Sequence, residues 1–431
     1  MGNFLRHTIV YLFSDSVNRV LSLILVFILL KWLTPGQYGE ITLFLSYFQL
    51  LNVITSLNLY RAVPIYLGNK REKENLGSIF TVISLNVLII ILIFLCISQY
   101  INIDSKIMLL LILSSGFYSY WSFYKEILIF EQKSITYAKY FNLSNLILFF
   151  SSIGLTYFIY KTHSSENNLG RIYGNISQTI ALFFLVLAGI KNFKFGLNIK
   201  LIRYFMTLSL PLLLYSGSSV VLSYADRIMI EKITNDLSAV GVYSLSYNLG
   251  MFISVLSTAI INNYRVEYFK NVNKNNENIN SLIRRVVVLM FFALIIMTVL
   301  FPPLLKFSIQ MFQLNTGYLK ATTATAYVFL GYYYLFLQSI FVMDFYHKES
   351  TLKLSLITIV AALINIILNY LLIPKFSFNG AAIATTISYL FLLVVTFFFN
   401  NNKLMFERKT LIYVLITVFL SALITLVYTI I

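Results

Sequence analysis

With 431 residues, 59% hydrophobic and only 11% charged, a net charge of +16 and a mean hydropathy of +0.81, the chain is too apolar for a water-soluble fold; a soluble domain carries roughly 25% charged residues. Its apolar runs are about 20 residues long, enough to cross a hydrocarbon layer of roughly 30 Å as helices, and the alternating pattern of a membrane barrel is absent. The single cysteine, Cys96, excludes an internal disulfide, and His7, His163 and His347 have no ligand spacing, so neither a metal site nor a cofactor is expected.

In chain order, hydropathy predicts spans near 10–33, 41–63, 79–99, 107–130, 140–160, 171–190, 204–224, 240–262, 285–305, 321–343, 354–374 and 380–400, followed by a further apolar run, 411–431. The opening residues lack a small-residue cleavage site and read as an uncleaved first span. Pro35, Pro64, Pro302, Pro303 and Pro374 fall at predicted span ends, where a missing N–H costs least. Pro211 alone falls inside a span; with Gly217 shortly after, it predicts a bend in the seventh helix. The longest loop is expected around 263–284, rich in Asn and Lys, which leaves no room for a soluble catalytic domain. With the N-terminus in the cytoplasm, about 20 basic residues fall on the inner side and about 9 on the outer, so the N-terminus is expected inside. The positive charge is then mostly topological, with attraction to anionic lipid added, and nucleic acid is not an expected partner.

The two halves repeat at an offset of 202 residues: LTPGQYGEITLFLSYFQLL (33–51) aligns with NDLSAVGVYSLSYNLGMFI (235–253), placing Gly39 on Gly241, Thr42 on Ser244 and Leu43 on Leu245. Near the end of each half, LGRIYGNIS (169–177) echoes NGAAIATTIS (379–388), with small residues at four-residue spacing that permit close helix approach. Six spans separate the copies, so both run in the same sense and define a parallel repeat about an axis along the membrane normal.

LTPGQYGEITLF, YADRIMIEKITNDLSAVGVYSLSY (224–247) and NIILNYLLIPKFSFNGAAIATTISYL (365–390) resemble the signature segments of polysaccharide repeat-unit (O-antigen, Wzx-type) flippases of the multidrug/oligosaccharidyl-lipid/polysaccharide exporter superfamily. The resemblance covers most of residues 10–400. It implies an all-α integral membrane fold: two six-helix lobes, 1–200 and 201–400, related by a parallel pseudo-two-fold around a central cavity, with 401–431 as an additional C-terminal helix. It further implies a transporter, not an enzyme, that moves undecaprenyl-pyrophosphate-linked oligosaccharide from the cytoplasmic to the outer leaflet of the bacterial inner membrane by alternating access. Other polysaccharide-assembly proteins are possible partners. Family members commonly have twelve spans; the thirteenth run either crosses or lies at the interface, and crossing is favoured here.

Against that background the polar residues inside spans gain meaning, because an intramembrane charge costs roughly 2.5–3.5 kcal/mol and is rarely idle. Asp15, Arg19 and Ser22 share one helical stripe, with Asn18 beside it. They read either as a cavity lining, with Arg19 gripping phosphate, or as an Asp15–Arg19 ion pair or snorkelling residues. Asn86, Lys125 and Glu126 are further cavity candidates, although for the last two ordinary interfacial placement at a helix end is the slightly favoured reading. Arg61, closing the second span, reads as a phosphate contact or a positive-inside anchor. Asp226 and Arg227, placed after the seventh span near the outer face, read as a structural pair or gate, and Pro211 with Gly217 as a moving bend or a passive kink. The Tyr118, Tyr120, Trp121, Tyr124 cluster and Tyr332, Tyr333, Tyr334 suit sugar stacking in a few cases and interfacial belts in most. Two rival functions are a cation-coupled multidrug exporter of the same superfamily, which wants an acidic cavity, and a membrane polysaccharide polymerase, which wants a large outer catalytic loop.

Overall fold

The computed structural model describes residues 2–69, 73–98, 105–162, 166–271, 277–347, 350–399 and 408–430; His163 and residues 401–407 lie outside these. Long helices follow one another: α1 (Gly2–Leu29), α2 (Pro35–Ser56), a short α3 (Val63–Gly68), α4 (Gly77–Ser98), α5 (Ser105–Phe130), α6 (Ser134–Thr162), α7 (Asn168–Gly189), α8 (Ile199–Thr234), α9 (Leu237–Asn271), α10 (Glu277–Phe312), α11 (Ala321–His347), α12 (Thr351–Phe376), α13 (Phe378–Phe399) and α14 (Arg408–Ile430). No strand occurs among the described residues. Lipid offers no hydrogen-bond partners, so each span satisfies its own backbone by coiling. Nine described helices are long and apolar enough to cross a membrane, or up to eleven if two bent pairs each count as one span. The chain is a multi-pass membrane protein. Leu88, Ile89, Leu92 and Ile93 of α4 are about half exposed, a surface tolerable only against acyl chains.

Two compact units result, Met1–Leu33 with Glu40–Val220, and Thr34–Gly39 with Val221–Ile431. In the first, α6 packs against α1 and α7, and α5 against α4 and α7. Its core joins Tyr66, Phe80, Trp121, Phe123 and Phe205. The small-residue pattern at 169–177 acts as expected: a Cβ on Gly170 would meet the Thr156 backbone at 2.3 Å, and one on Gly174 would meet Ser152 Oγ at 2.1 Å. The second unit packs α11 against α9 and α13, and α12 against α13. Gly380 touches the Leu372 carbonyl with the same closeness, its Cβ position lying 2.4 Å from that oxygen.

The thirteenth apolar run forms α14, which lies along α10 and α11. It buries Thr410, Val414, Thr417, Ser421 and Thr425, one stripe of the helix. Arg284 Nη1 donates to Thr410 Oγ1 at 3.0 Å, while Tyr333 and Tyr334 lie beside Thr417 and Ser421.

Four expectations need correction. Pro302 and Pro303 lie inside α10, not at a span end, where neighbouring helices in a membrane bundle tolerate the lost backbone bonds, whereas Pro374 does fall at a span end, in the last turn of α12. Most of the expected loop 263–284 is helical, because α9 runs to Asn271 and α10 begins at Glu277. The second span does not run to residue 63. It breaks at Leu57 and Asn58, both at positive φ (46° and 57°), and the chain resumes at 52° as a 3-10 turn, Leu59–Ala62, and α3, so Arg61 sits on the turn. Asp226 and Arg227 do not follow the seventh span; they lie inside α8, which continues to Thr234. The bend expected from Pro211 is present: Ile199–Leu210 and Leu212–Thr234 meet at 46°.

The two breaks in the first unit are tied together. Asn58 is buried, and its Nδ2 donates to the Leu212 carbonyl at 3.0 Å and to Ser216 Oγ at 2.8 Å. Asn tolerates the left-handed backbone that most residues avoid, and its amide pins the break to the helix beside it.

Candidate functional site

In the first unit, α1 is zipped to α6 by polar contacts. His7 Nδ1 pairs with Ser134 Oγ at 2.8 Å, Tyr137 donates to Asp15 Oδ1 at 3.0 Å, and Ser14 and Asn18 both donate to Asn142 Oδ1 at 2.7 and 2.8 Å. The stripe of Asp15, Arg19 and Ser22 therefore divides. Asp15 accepts from Tyr137 and forms no ion pair with Arg19, and Asn18, 4% exposed, holds the helices together. Ser22 Oγ, exposed, returns to the Asn18 carbonyl at 2.9 Å. Arg19 faces away, exposed, with no hydrogen bond or ion pair among the described residues.

Around Asp15, three further segments bring charges and rings together. Tyr60 and Arg61 come from the 3-10 turn, Tyr118, Lys125 and Glu126 from α5, and Tyr137 from α6. The Arg61 guanidinium lies 5.2 Å from the Tyr60 ring centre and Lys125 Nζ 6.0 Å from the same ring, so one phenol holds two cations. Glu126 feels the charges of Lys125 and Arg61. Tyr118 lies within electrostatic reach of Tyr60 and Asp15, and Tyr137 within reach of Asp15, Tyr118 and Glu126. Trp121, fully buried, stacks on Tyr137 at 5.8 Å and on Phe141 at 6.1 Å, stiffening the wall behind them. The break at Leu57–Asn58 turns the chain out of its helical path just before Arg61. Such a group can receive an anion: two cations with partners they can exchange, and phenolic hydroxyls that donate. Asn86, expected here, is engaged elsewhere; its Nδ2 donates to the Ile54 and Thr55 carbonyls at 2.9 and 3.0 Å, capping the end of α2.

Just past the end of α5, Glu131 bonds to Lys73 Nζ at 2.6 Å and Lys133 Nζ at 2.8 Å. Partial burial alone would raise its carboxyl, but the two ammonium groups outweigh that and hold it below the usual range.

The second unit has a different polar centre. Asp226, 0% exposed, accepts from Tyr243 OH, from Thr385 Oγ1 at 2.6 Å and from Asn369 Nδ2 at 2.6 Å. Asn369 Nδ2 also reaches Asn365 Oδ1 at 3.1 Å. Arg227, 4% exposed, makes no ion pair with Asp226 among the described residues. Its Nη1 donates to the Ser223 carbonyl at 2.8 Å and its guanidinium lies over the rings of Tyr247 (4.5 Å), Tyr224 (5.4 Å) and Tyr243 (5.6 Å). The expected Asp226–Arg227 pair is thus two separate arrangements: a carboxylate ringed by neutral donors, and a cation caged by phenols. A carboxylate so enclosed is a natural seat for a proton or a small cation, although no group of three His, Cys, Asp or Glu side chains able to hold a metal occurs among the described residues. The sequence reading missed Asn365, Asn369, Thr385 and Tyr243. Their signal was available as amides four residues apart in one apolar span and a Thr pair in the next. Gly217 has open space around its Cβ position, so close packing does not require a glycine there.

An all-helical, multi-pass chain with polar groups buried in each of two units has the fold of the MOP-superfamily transporters. The structure is similar to an inward-closed structure of the lipid II flippase MurJ, with a TM-score of 0.74 at 16% identity over 99% of this chain and 98% of that one. It is also similar to an inward-facing multidrug-resistance MATE transporter (TM-score 0.65, 12% identity, 89% and 94% covered). A third similar structure is a MOP-superfamily transporter from Pyrococcus furiosus described as having a binding pocket of reversed polarity (TM-score 0.54, 14% identity, 93% and 95% covered). No curated protein matches the sequence. Residues 4–263, more than half the chain, match the polysaccharide biosynthesis protein family, and the chain belongs to that family.

Proposed function

We propose that the protein is a flippase for polyprenyl-pyrophosphate-linked oligosaccharide, carrying repeat units from the cytoplasmic to the outer leaflet of a bacterial inner membrane, with its N-terminus in the cytoplasm. The observation that carries this reading is the grouping of Arg61 and Lys125 on Tyr60, beside Tyr118 and Tyr137, within a membrane-embedded unit. A pyrophosphate head needs paired cations in place of water, and sugars need ring faces and phenolic donors. Arg19, one turn from Asp15 but on the exposed side and with no hydrogen bond or ion pair among the described residues, offers a separate cation to the head group on its way in. Family membership supports a role in polysaccharide assembly, and the likeness to a flippase of another lipid-linked saccharide supports the cargo class.

Transport proceeds by alternating access of the two halves, with the polyprenyl tail left in lipid. No bond is made or broken in the cargo. Each unit of negative charge leaving a cytoplasm-negative membrane gains roughly 2.3 kcal/mol per 100 mV, so the potential itself favours export. Asp226, enclosed by neutral donors, is the candidate for a coupling proton or cation.

The second reading, a cation-coupled multidrug exporter, is supported by the likeness to MATE transporters. It needs carboxylates facing the cargo. Here Asp15 is engaged by Tyr137, Asp226 is sealed among neutral donors, and Glu126 feels the charges of Lys125 and Arg61. Reconstitution decides between the two. Proteoliposomes should move a lipid-pyrophosphate oligosaccharide to the opposite leaflet and fail to accumulate a cationic dye; the reverse pattern overturns the flippase reading.

A further inference from the structure

Arg227 sits in the second unit without a counter-ion. A guanidinium carries five N–H donors and stays ionised in a protein. This one is 4% exposed, and the one hydrogen bond it makes among the described residues runs from Nη1 to the Ser223 carbonyl at 2.8 Å. Asp226, the preceding residue, turns its oxygens to Tyr243, Thr385 and Asn369, neutral donors on α9, α13 and α12. Rings stand where a carboxylate is expected: Tyr247, Tyr224 and Tyr243 lie 4.5, 5.4 and 5.6 Å from the guanidinium. Aromatic faces offset part of the cost of burying the charge, but they leave most of the N–H edge unpaired.

The cage is a built one. Tyr243 and Tyr247 lie one turn apart on α9, and the Tyr247 and Tyr389 hydroxyls meet at 3.0 Å. Tyr332 of α11 completes it, its ring 5.5 Å from that of Tyr247. Gly250 of α9 makes room for that ring, since a Cβ there would stand 2.6 Å from Tyr332 Cε2. Tyr332 is surrounded by helices of the second unit yet keeps accessible surface, as do Ser223 and Tyr224 beside the guanidinium. These three residues therefore line a cavity with Arg227 at its floor.

We propose that this cage binds the carboxylate of an acidic sugar in the transported saccharide. The proposal rests on the flippase reading above and names the class of saccharide which that reading leaves open. One fixed positive charge matches one negative charge, whereas a pyrophosphate would be only partly neutralised here. The planar fork of Arg227 offers parallel N–H groups to a carboxylate, and the phenol faces around it suit the C–H faces of a pyranose. A cationic drug is repelled by the same guanidinium. A neutral sugar finds the rings but leaves the N–H edge as it was.

The test is calorimetric binding to the full chain in detergent, with methyl glucuronoside, methyl glucoside and acetate as probes. The glucoside has the same ring without the carboxylate, and acetate has the carboxylate without the ring. The wild type should bind the uronoside at one site, at least about tenfold more tightly than either. Arg227→Gln and Arg227→Lys, confirmed folded by size-exclusion chromatography, should each weaken the uronoside by at least about tenfold and leave the glucoside unchanged. Tyr224→Ala, at a part-exposed position, serves if the arginine variants do not fold, and should weaken the uronoside by roughly threefold or more. Uronoside affinity unchanged in the folded variants, equal affinity for the glucoside or acetate, or no uronoside binding by the wild type overturns the site. Two failures are kept apart by adding translocation in proteoliposomes. If uronoside binding depends on Arg227 while no lipid-linked saccharide moves, the site stands and the flippase reading falls. If saccharide moves while the uronoside ignores Arg227, the flippase reading stands and the acidic-sugar site falls.

Discussion

Replacing Asp226 by alanine tests how the buried centre of the second unit is held. Three donors converge on this carboxylate: Tyr243 OH, Thr385 Oγ1 and Asn369 Nδ2. If all were orphaned at about 1–3 kcal/mol each, the loss would be about 3–9 kcal/mol. Two have fallbacks already in place, since Thr385 Oγ1 also donates to the Ala381 carbonyl at 3.0 Å and Asn369 Nδ2 to Asn365 Oδ1 at 3.1 Å. Only Tyr243 is left with a poor substitute, Thr385 Oγ1 at 3.4 Å. Removing a buried charge also returns part of its desolvation cost. The expected loss for Asp226→Ala is therefore about 1–3 kcal/mol, set by one stranded hydroxyl. A sign change follows. Tyr243→Phe should destabilise the wild type, where it removes a donor from the carboxylate, and stabilise the Asp226→Ala protein, where it removes the stranded group. Denaturation in detergent followed by far-ultraviolet circular dichroism across the four proteins measures this cycle. Equal effects of Tyr243→Phe in both backgrounds would refute the reasoning.

Other outcomes follow from the same structure. Asn58→Val should cost about 1–3 kcal/mol in unfolding experiments, because a β-branched residue resists the left-handed backbone and two bonds to α8 are lost, whereas Asn58→Gly should recover the backbone part only. Gly170→Val should abolish stable folding as seen by size-exclusion chromatography, since its Cβ would overlap the Thr156 backbone. Glu131 is held below the usual carboxylate range by Lys133 and Lys73, so it adds stability above its unfolded value, about pH 4.3, and that contribution is lost as pH falls through its depressed folded value. Glu131→Gln should remove this acid dependence from melting curves, and a curve unchanged by the substitution would contradict it. If α14 crosses the membrane, a thiol appended to the C-terminus and one appended to the N-terminus should be labelled by impermeant reagents from opposite sides.

Much of the architecture was legible in the sequence because membrane spans announce themselves by length and apolarity. The bend at Pro211 was legible for a similar reason: a missing N–H acts locally. Asn58 was not, since a left-handed break inside an apolar run depends on Leu212 and Ser216, more than 150 residues away in sequence. The same limit explains Asp15 and Asn18. Their spacing put them on a stripe with Arg19, but spacing cannot say that Tyr137 and Asn142 of another helix would take them and leave Arg19 outside. Asp226 and Arg227 were noticed as a pair because they are adjacent, yet adjacent helical residues point in different directions, and each found partners on other helices. Pro302 and Pro303 were read as a terminus because proline ends helices in water; in a membrane bundle the helix ran on.

The central claim is that cations gathered in the first unit carry an anionic lipid head, and one measurement addresses it most directly. Translocation of a lipid-pyrophosphate oligosaccharide in proteoliposomes should be compared among the wild type, Arg61→Ala with Lys125→Ala, Arg19→Ala and Arg19→Lys, each confirmed to be folded. The account expects the double variant and Arg19→Ala to lose at least about tenfold in rate, the factor that follows from losing about 1.4 kcal/mol of head-group stabilisation, with Arg19→Lys partly active. Translocation at the wild-type rate in all three would contradict it.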